Sequence, residues 1–270
     1  MCLVACRIAP GSRLPFVLAS NRDEFFDRPA APLAWWQPPQ AAQPLLGGRD
    51  LGAGGGGTWL GLSRSGHLAL VTNVRSPGAA ATGLPSRGEL VTAWLARPTL
   101  DATHLQSLAA TPRNGFNLLA VSLRDGAAAW AGNRPPAART IGAGTWGLSN
   151  AGLDTPWPKV RALKARLDDA LRGEPAPEAV VASAFAALAD RRPATDAELP
   201  GTGIPLERER QLSSAFIHIP APVAYGTRCS TVVVAEQAAE GRLTVSVHER
   251  RFGRDGQVEG QAVERFDCLL

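Results

Sequence analysis

No dense block of Lys or Arg occurs anywhere in these 270 residues, and the formal net charge is only +4. That absence removes the electrostatic footprint of a nucleic-acid or acidic-membrane partner. No apolar stretch approaches the roughly 20 residues needed to cross a bilayer, so no membrane span is expected. The opening Met1-Cys2-Leu3-Val4-Ala5-Cys6-Arg7 lacks the basic segment and long apolar run of a secretory signal, and a soluble cytoplasmic protein is expected. Cysteine is scarce: Cys2, Cys6, Cys229 and Cys268 form no C-x-x-C pair and no zinc-finger spacing. In a reducing compartment all four should be thiols. The histidines His67, His104, His218 and His248 are scattered without metal-binding spacing, so neither a metal nor another cofactor is expected. The glycine run Gly54 to Gly57 is not followed by the Gly-Lys-Ser/Thr of a phosphate loop. Internal repeats and linkers are also missing, which leaves residues 1–270 as one expected domain.

What is present is an ordinary globular balance, 45% hydrophobic and 19% charged, long enough to enclose a sizeable core. Leu3 to Ile8 and Leu14 to Ala19 flank the turn material Pro10-Gly11-Ser12 and read as a β-hairpin. Arg28 to Gln43, rich in Pro, Ala and Trp, reads as a surface loop, and Gly47-Gly48-Arg49-Asp50 as part of a tight connection. Thr58 to Leu62 and His67 to Thr72 form a second expected hairpin. Ser86 followed by Glu89 has the form of a capping box, so a helix should begin there. Asp101 to Ala110 reads as a short helix. Phe116 to Leu123, Ala127 to Ala131 and Thr145 to Ser149 are strand-like. Pro158 to Leu171 and Pro177 to Ala189 have helical character, the first with Val160, Leu163, Leu167 and Leu171 on one face and Gly173 just past its end. Thr231 to Ala235, Leu243 to Glu249 and Ala262 to Phe266 are strands. Strands at both ends around a helical middle predict one mixed α/β domain.

The residue that can carry chemistry is Cys2. Initiator methionine is readily removed before a small residue such as cysteine. The chain would then begin with a thiol and a free α-amine on one residue. An amine with a pKa near ~7.7–8 can act as base for a thiol near ~8.5. If the first turn is centred on Gly11 and Ser12, Leu3 lies opposite Ser20 and Cys2 opposite Asn21. That register puts Cys2, Asn21 and Asp23 on one face, with Arg22 and Glu24 on the other. Cys2 and Cys6 share a strand face but lie ~13 Å apart, too far for a disulfide.

Asn21-Arg22-Asp23-Glu24 is the signature after which the NRDE, or Transport and Golgi organization 2, family is named, and the chain resembles that family nearly from end to end. Further ordered blocks carry the likeness: Gly47-Gly48-Arg49-Asp50-Leu51, Gly57-Thr58-Trp59-Leu60-Gly61, Thr72-Asn73-Val74-Arg75, Ser86-Arg87-Gly88, Asn114-Gly115-Phe116-Asn117, Leu148-Ser149-Asn150, Trp157-Pro158-Lys159-Val160 and Tyr225-Gly226-Thr227-Arg228-Cys229. The glycine run is longer than the pattern, and Cys229 stands where a second serine belongs.

The family is in turn similar to cysteine-type N-terminal-nucleophile hydrolases such as penicillin V acylase and bile-salt hydrolase. That resemblance implies a four-layer αββα sandwich and a set made of Cys2, Asp23, Asn73, Asn150 and Arg228. Asp23 would contact the terminal amine, the two asparagines would serve an oxyanion, and Arg228 would lower the thiol pKa. Ser20 occupies the place where those enzymes carry an arginine, for which Arg22 only partly substitutes. Asn21, Arg22 and Trp59 are candidates for substrate contact. The function so implied is hydrolysis or acyl transfer at a linear amide C–N bond of a small acylated metabolite. The alternative implied by the resemblance is a non-enzymatic carrier handling haem or an acyl lipid on the same fold. Either way the partner is a small-molecule substrate or cargo; the residues do not address oligomeric state.

Overall fold

A computed structural model describes residues 2–39, 41–52, 56–78, 80–238 and 241–269. Met1 and two of the four glycines in the run, Gly54 and Gly55, lie outside the described residues. The first half of the chain runs β1 (Cys2–Ile8), β2 (Phe16–Phe25), β3 (Ala30–Trp36), β4 (Leu45–Asp50), β5 (Leu60–Ser63), β6 (His67–Asn73), α1 (Gly88–Ala96) and α2 (Ala102–Ala109). It continues as β7 (Phe116–Ser122), β8 (Ala128–Asn133), β9 (Pro136–Ile141), β10 (Gly144–Leu148), α3 (Pro158–Ala170) and α4 (Pro177–Leu188). The last segment holds α5 (Leu206–Gln211), β11 (His218–Ile219), β12 (Tyr225–Gln237), β13 (Arg242–Phe252) and β14 (Val258–Leu269).

The strands form two antiparallel sheets. One has the order β10-β1-β2-β12-β13-β14, with β11 also on β12; the other is the meander β3 to β9 in chain order. Alternation along β1 and β2 explains how they stack. Val4, Cys6, Ile8, Phe16 and Leu18 point one way and join Leu46, Leu62, Leu68, Leu70 and Leu119 of the meander in the central core. Leu3, Ala5, Val17 and Ala19 point the other way, onto Val160, Leu163 and Leu167 of α3 and Val180 and Ala184 of α4. On the far side, Leu90, Val91, Trp94 and Leu95 of α1 cover Ala69, Val71, Leu118 and Ala120. The layers are therefore helix, sheet, sheet, helix, the αββα sandwich that the family resemblance implied.

Local signals hold for the helices. Pro starts both α3 and α4, where the missing N–H costs nothing, and Asp101 caps α2 by accepting from the His104 N–H at 2.9 Å. The expected capping box does not form. Arg87 is the N-cap of α1 without a side-chain cap bond, and Ser86 Oγ accepts from Gly88 N–H at 3.2 Å instead. Three further readings are corrected. Arg28 to Gln43 is not simply a loop, because its alternating Leu33-Ala34-Trp35 core makes the edge strand β3. Gly47 to Asp50 is strand β4, where Gly47 and Gly48 admit the Leu60 carbonyl and the Trp59 ring at distances a Cβ would block. The strand β9 and helix α5 carried no signal that was read.

The fourth correction is the hairpin register. Cys2 pairs with Arg22, Leu3 with Asn21 and Val4 with Ser20. Pro10 and Pro15 have no N–H, so the hairpin closes from Ala9 N–H to the Pro15 carbonyl at 2.9 Å. Gly11 sits at φ +82°, and Ser12 bonds back to Ala9 inside a loop one residue longer than expected. One residue of slip exchanges every facing. Arg22, not Asn21, shares the Cys2 face.

Candidate active site

Cys2 begins β1 on the inner face of the first sheet, and its side chain is one wall of a cavity of about 110 Å³ between the two sheets. The residue is 8% exposed. Burial pushes its thiol pKa up; the Arg22 charge and the Asp23 backbone N–H, which is directed at the sulfur, work the other way. The isolated thiol is thus neutral and needs a base to become a nucleophile.

The meander supplies the opposite wall. Arg22 lies over the Trp59 ring with its guanidinium 4.3 Å from the centroid, and reaches toward Asp50 at 3.8 Å. Trp59 is held in place by Gly48, at which any Cβ would meet the ring at 2.3 Å. Arg28 fixes Asp50 through Nε at 3.0 Å to both oxygens. Thr58, Asn73, Arg87 and Gly88 are also in the lining. Arg87 occupies the first step of α1, and Gly57 allows that step to come close, since a Cβ there would meet the Gly88 backbone at 2.9 Å. Burial lowers the Arg87 pKa; Cys2, when it ionises, and Glu24 oppose that fall.

Asn150 arrives from the end of β10. Its Nδ2 donates to the Asn73 carbonyl at 3.0 Å and to Asn73 Oδ1 at 3.1 Å. Ser149 Oγ donates to the Cys2 carbonyl at 2.9 Å and to Asn150 Oδ1 at 3.2 Å. Asn150 thereby holds both the backbone and the side-chain oxygen of Asn73, which lines the cavity.

Asp23 is 1% exposed and belongs to the helix-facing side of β2. Its Oδ1 accepts from the Thr227 hydroxyl at 2.7 Å, while the residue itself is among those that line the Cys2 cavity. Burial raises its pKa, and Lys159 across from it on α3 is the largest influence in the opposite direction. Lys159 is itself 5% exposed, donates to the Leu212 carbonyl at 3.0 Å, and is pulled down by burial to about 8. Beyond it Arg75 pairs with the buried Glu209, while the Arg75 backbone N–H bonds the Asn150 carbonyl at 2.7 Å. This buried ionic layer of Lys159, Arg75 and Glu209 was not read from the sequence. Their positions in ordered blocks were the available signal for Lys159 and Arg75; Glu209 had none.

The seven expected positions around Cys2 thus separate. Arg22, Asp23, Asn73 and Trp59 line the Cys2 cavity, and Asn150 braces Asn73. Arg228 is the extra residue of a bulge between Thr227 and Cys229, and its side chain donates to the carbonyls of Phe25, Phe26 and Arg28 at 2.9–3.2 Å. It lines a smaller neighbouring cavity with Glu249 and Glu259. Asn21 is 0% exposed on the opposite face. Its amide donates to the Leu188 and Ala215 carbonyls at 2.9 Å, and its oxygen accepts from Ser230 at 2.6 Å, so it ties β2 to the helical layer and does not reach the cavity.

The model of the family described as Transport and Golgi organisation 2 matches residues 1–254. The chain belongs to this family. The Transport and Golgi organization protein 2 homolog of Bos taurus is 34% identical over 261 residues, covering 90% of this chain and 91% of that protein. Its Homo sapiens counterpart is 33% identical over 263 residues, with 90% and 91% covered. Among solved structures, a mutant conjugated bile acid hydrolase from Clostridium perfringens aligns with 98% of this chain and 96% of its own at 9% identity and a TM-score of 0.40. Within the Transport and Golgi organisation 2 family frame, the four cysteines are free thiols. No helix among the described residues is long and apolar enough to cross a membrane, and no three His, Cys, Asp or Glu side chains among them cluster to hold a metal.

Proposed function

We propose that this protein is an N-terminal-cysteine hydrolase or acyltransferase acting on a linear amide C–N bond of a small acylated metabolite. The observation that carries the reading is Cys2, buried at the wall of a cavity that Arg22, Asn73 and Arg87 also line, with the Asp23 backbone N–H directed at its sulfur. Removal of Met1 would free the Cys2 α-amine. That amine takes the thiol proton, and the sulfur attacks the amide carbonyl carbon. The carbonyl oxygen becomes an oxyanion, which accepts from Asn73 Nδ2; Asn150 acts by holding that amide in its orientation. Collapse breaks the C–N bond, the α-ammonium returns its proton to the leaving amine, and a thioester remains on Cys2. Water then attacks the thioester with the amine again as base, releasing the carboxylic acid and the free thiol. Arg22 and Arg87 supply positive charge to the thiolate, the part that Arg228 was expected to play. Asp23, held by Lys159, offers the α-ammonium a counter-charge.

The test compares protein lacking Met1, protein retaining a residue before Cys2, and Cys2→Ala, for hydrolysis of a panel of acyl amides. Intact mass reports removal of Met1. Only the first form should turn over, because an amide nitrogen is not basic, while all three should melt alike. Equal hydrolysis by the blocked form would refute the mechanism. Saturable haem or acyl-lipid binding by all three without hydrolysis would favour the carrier alternative.

A further inference from the structure

The Cys2 cavity is too small for more than the reacting carbonyl and its immediate substituents, since about 110 Å³ is the share of only a few heavy atoms. It has a neighbour. A groove of about 520 Å³ borders it and shares Glu24, Asn73 and Arg87 with it, so the rest of a substrate held at Cys2 has this groove open to it. The charges there are lopsided. Four arginines line the groove, Arg75, Arg87, Arg134 and Arg208, against the single acid Glu24. Arg75 is neutralised by Glu209, and Glu24 faces Arg28 at 3.9 Å.

The other three guanidinium groups have only neutral partners. Arg87 donates to the Gly115 carbonyl at 3.3 Å, Arg134 to the Asn133 carbonyl at 2.8 Å, and Arg208 to Gln211 Oε1 at 3.1 Å. No carboxylate among the described residues is within ion-pair distance of any of them. Three guanidiniums without a carboxylate partner therefore line one groove, an arrangement that suits an anionic ligand. An apolar wall stands among them: Phe25, 50% exposed, packs edge-on against Tyr225 at 5.0 Å, and Ile204 lies alongside.

We propose that this groove receives the amine half of an N-acyl amino acid, with Arg87, Arg134 and Arg208 binding its carboxylate. This rests on the Cys2 reading for the site of cleavage, but the groove makes its own claim on binding. Arg87 is the link between the two cavities. In an N-acyl α-amino acid the carboxylate is separated from the scissile amide nitrogen by one carbon, which suits a cation that lines both. A guanidinium matches a carboxylate with two parallel N–H···O bonds, so arginine in place of lysine fits a planar acid. The Phe25 wall would face the amino-acid side chain.

The experiment is calorimetric titration of Cys2→Ala protein, which cannot turn over, with N-octanoylglycine, its neutral isostere N-octanoylglycinamide, and the phosphate ester of N-octanoylethanolamine. The expected result is about tenfold or greater preference for the glycine over the glycinamide at low salt, weakening as salt is added. Arg134→Gln and Arg208→Gln, singly and together, should shrink that preference stepwise while circular dichroism melts show each variant folded. Equal affinity for glycine and glycinamide, or saturable binding of neither, overturns the proposal. Tighter binding of the phosphate ester overturns the carboxylate assignment. If the charge preference is found but protein with a free Cys2 leaves N-octanoylglycine intact, the groove assignment stands and the amidase reading fails.

Discussion

Replacing Lys159 by methionine removes a cation that the fold carries at a cost. Its ammonium is 5% exposed beneath β2, and burial brings its pKa from 10.5 to about 8. A folded pKa below the unfolded value means that between about pH 8 and 10.5 the unfolded chain binds the extra proton. Stability therefore rises with pH across that window. Below pH 8 the lysine is charged in both states and the full penalty is present. At ~1.4 kcal/mol per tenfold change in proton affinity, the penalty is about 3 kcal/mol. The buried thiols of Cys2 and Cys229 have raised pKa values and lose stability as pH climbs past the unfolded thiol value. That loss is common to wild type and variant and cancels in their difference. The lost hydrogen bond from Lys159 to Leu212 offsets the two curves by a constant and leaves the pH dependence of their difference unchanged. The assay is urea unfolding of wild type and Lys159→Met from pH 7 to 10.5. Wild type should gain about 3 kcal/mol relative to the variant over that range. Parallel curves would show that Lys159 does not titrate near 8 and that Asp23 is not held by a strained buried cation.

Three further outcomes follow from the same neighbourhood. Asn73→Ala should lower kcat by the loss of one oxyanion donor, ~2.7–4 kcal/mol in the barrier. Asn150→Ala should have a smaller effect in the same direction, and a larger effect from Asn150 than from Asn73 would reverse their assigned roles. Glu209→Ala leaves Arg75 buried without its partner and strips Thr202 of its acceptor; it should cost about 3–5 kcal/mol in denaturant unfolding. A loss below about 1 kcal/mol would mean that Arg75 finds water when Glu209 is gone.

Much of this protein is written locally. Alternation in Leu3 to Ile8 and in Phe116 to Ser122 specifies strands whose two faces meet different layers, and Pro158 and Pro177 mark helix starts without help from tertiary contacts. The position of Cys2 and the order of Asp23, Asn73 and Asn150 were also visible, because a chemical type at a given place in the chain survives any folding. Facing did not survive, because it depends on one residue in a loop. Two prolines and a left-handed glycine moved the Cys2 partner from Asn21 to Arg22, and with it which side chain meets the thiol. Arg228 followed the same logic in β12, where a bulge turned it toward the Phe25 and Arg28 carbonyls. The cations that line the Cys2 cavity, or stand behind it at Asp23, come from β2 and the turn after it, the start of α1, and α3, three regions far apart in sequence. No periodicity relates them. Only the packing of two sheets and two helical layers fixes their separation, and burial, which sets the charge each holds, is a property of that packing alone.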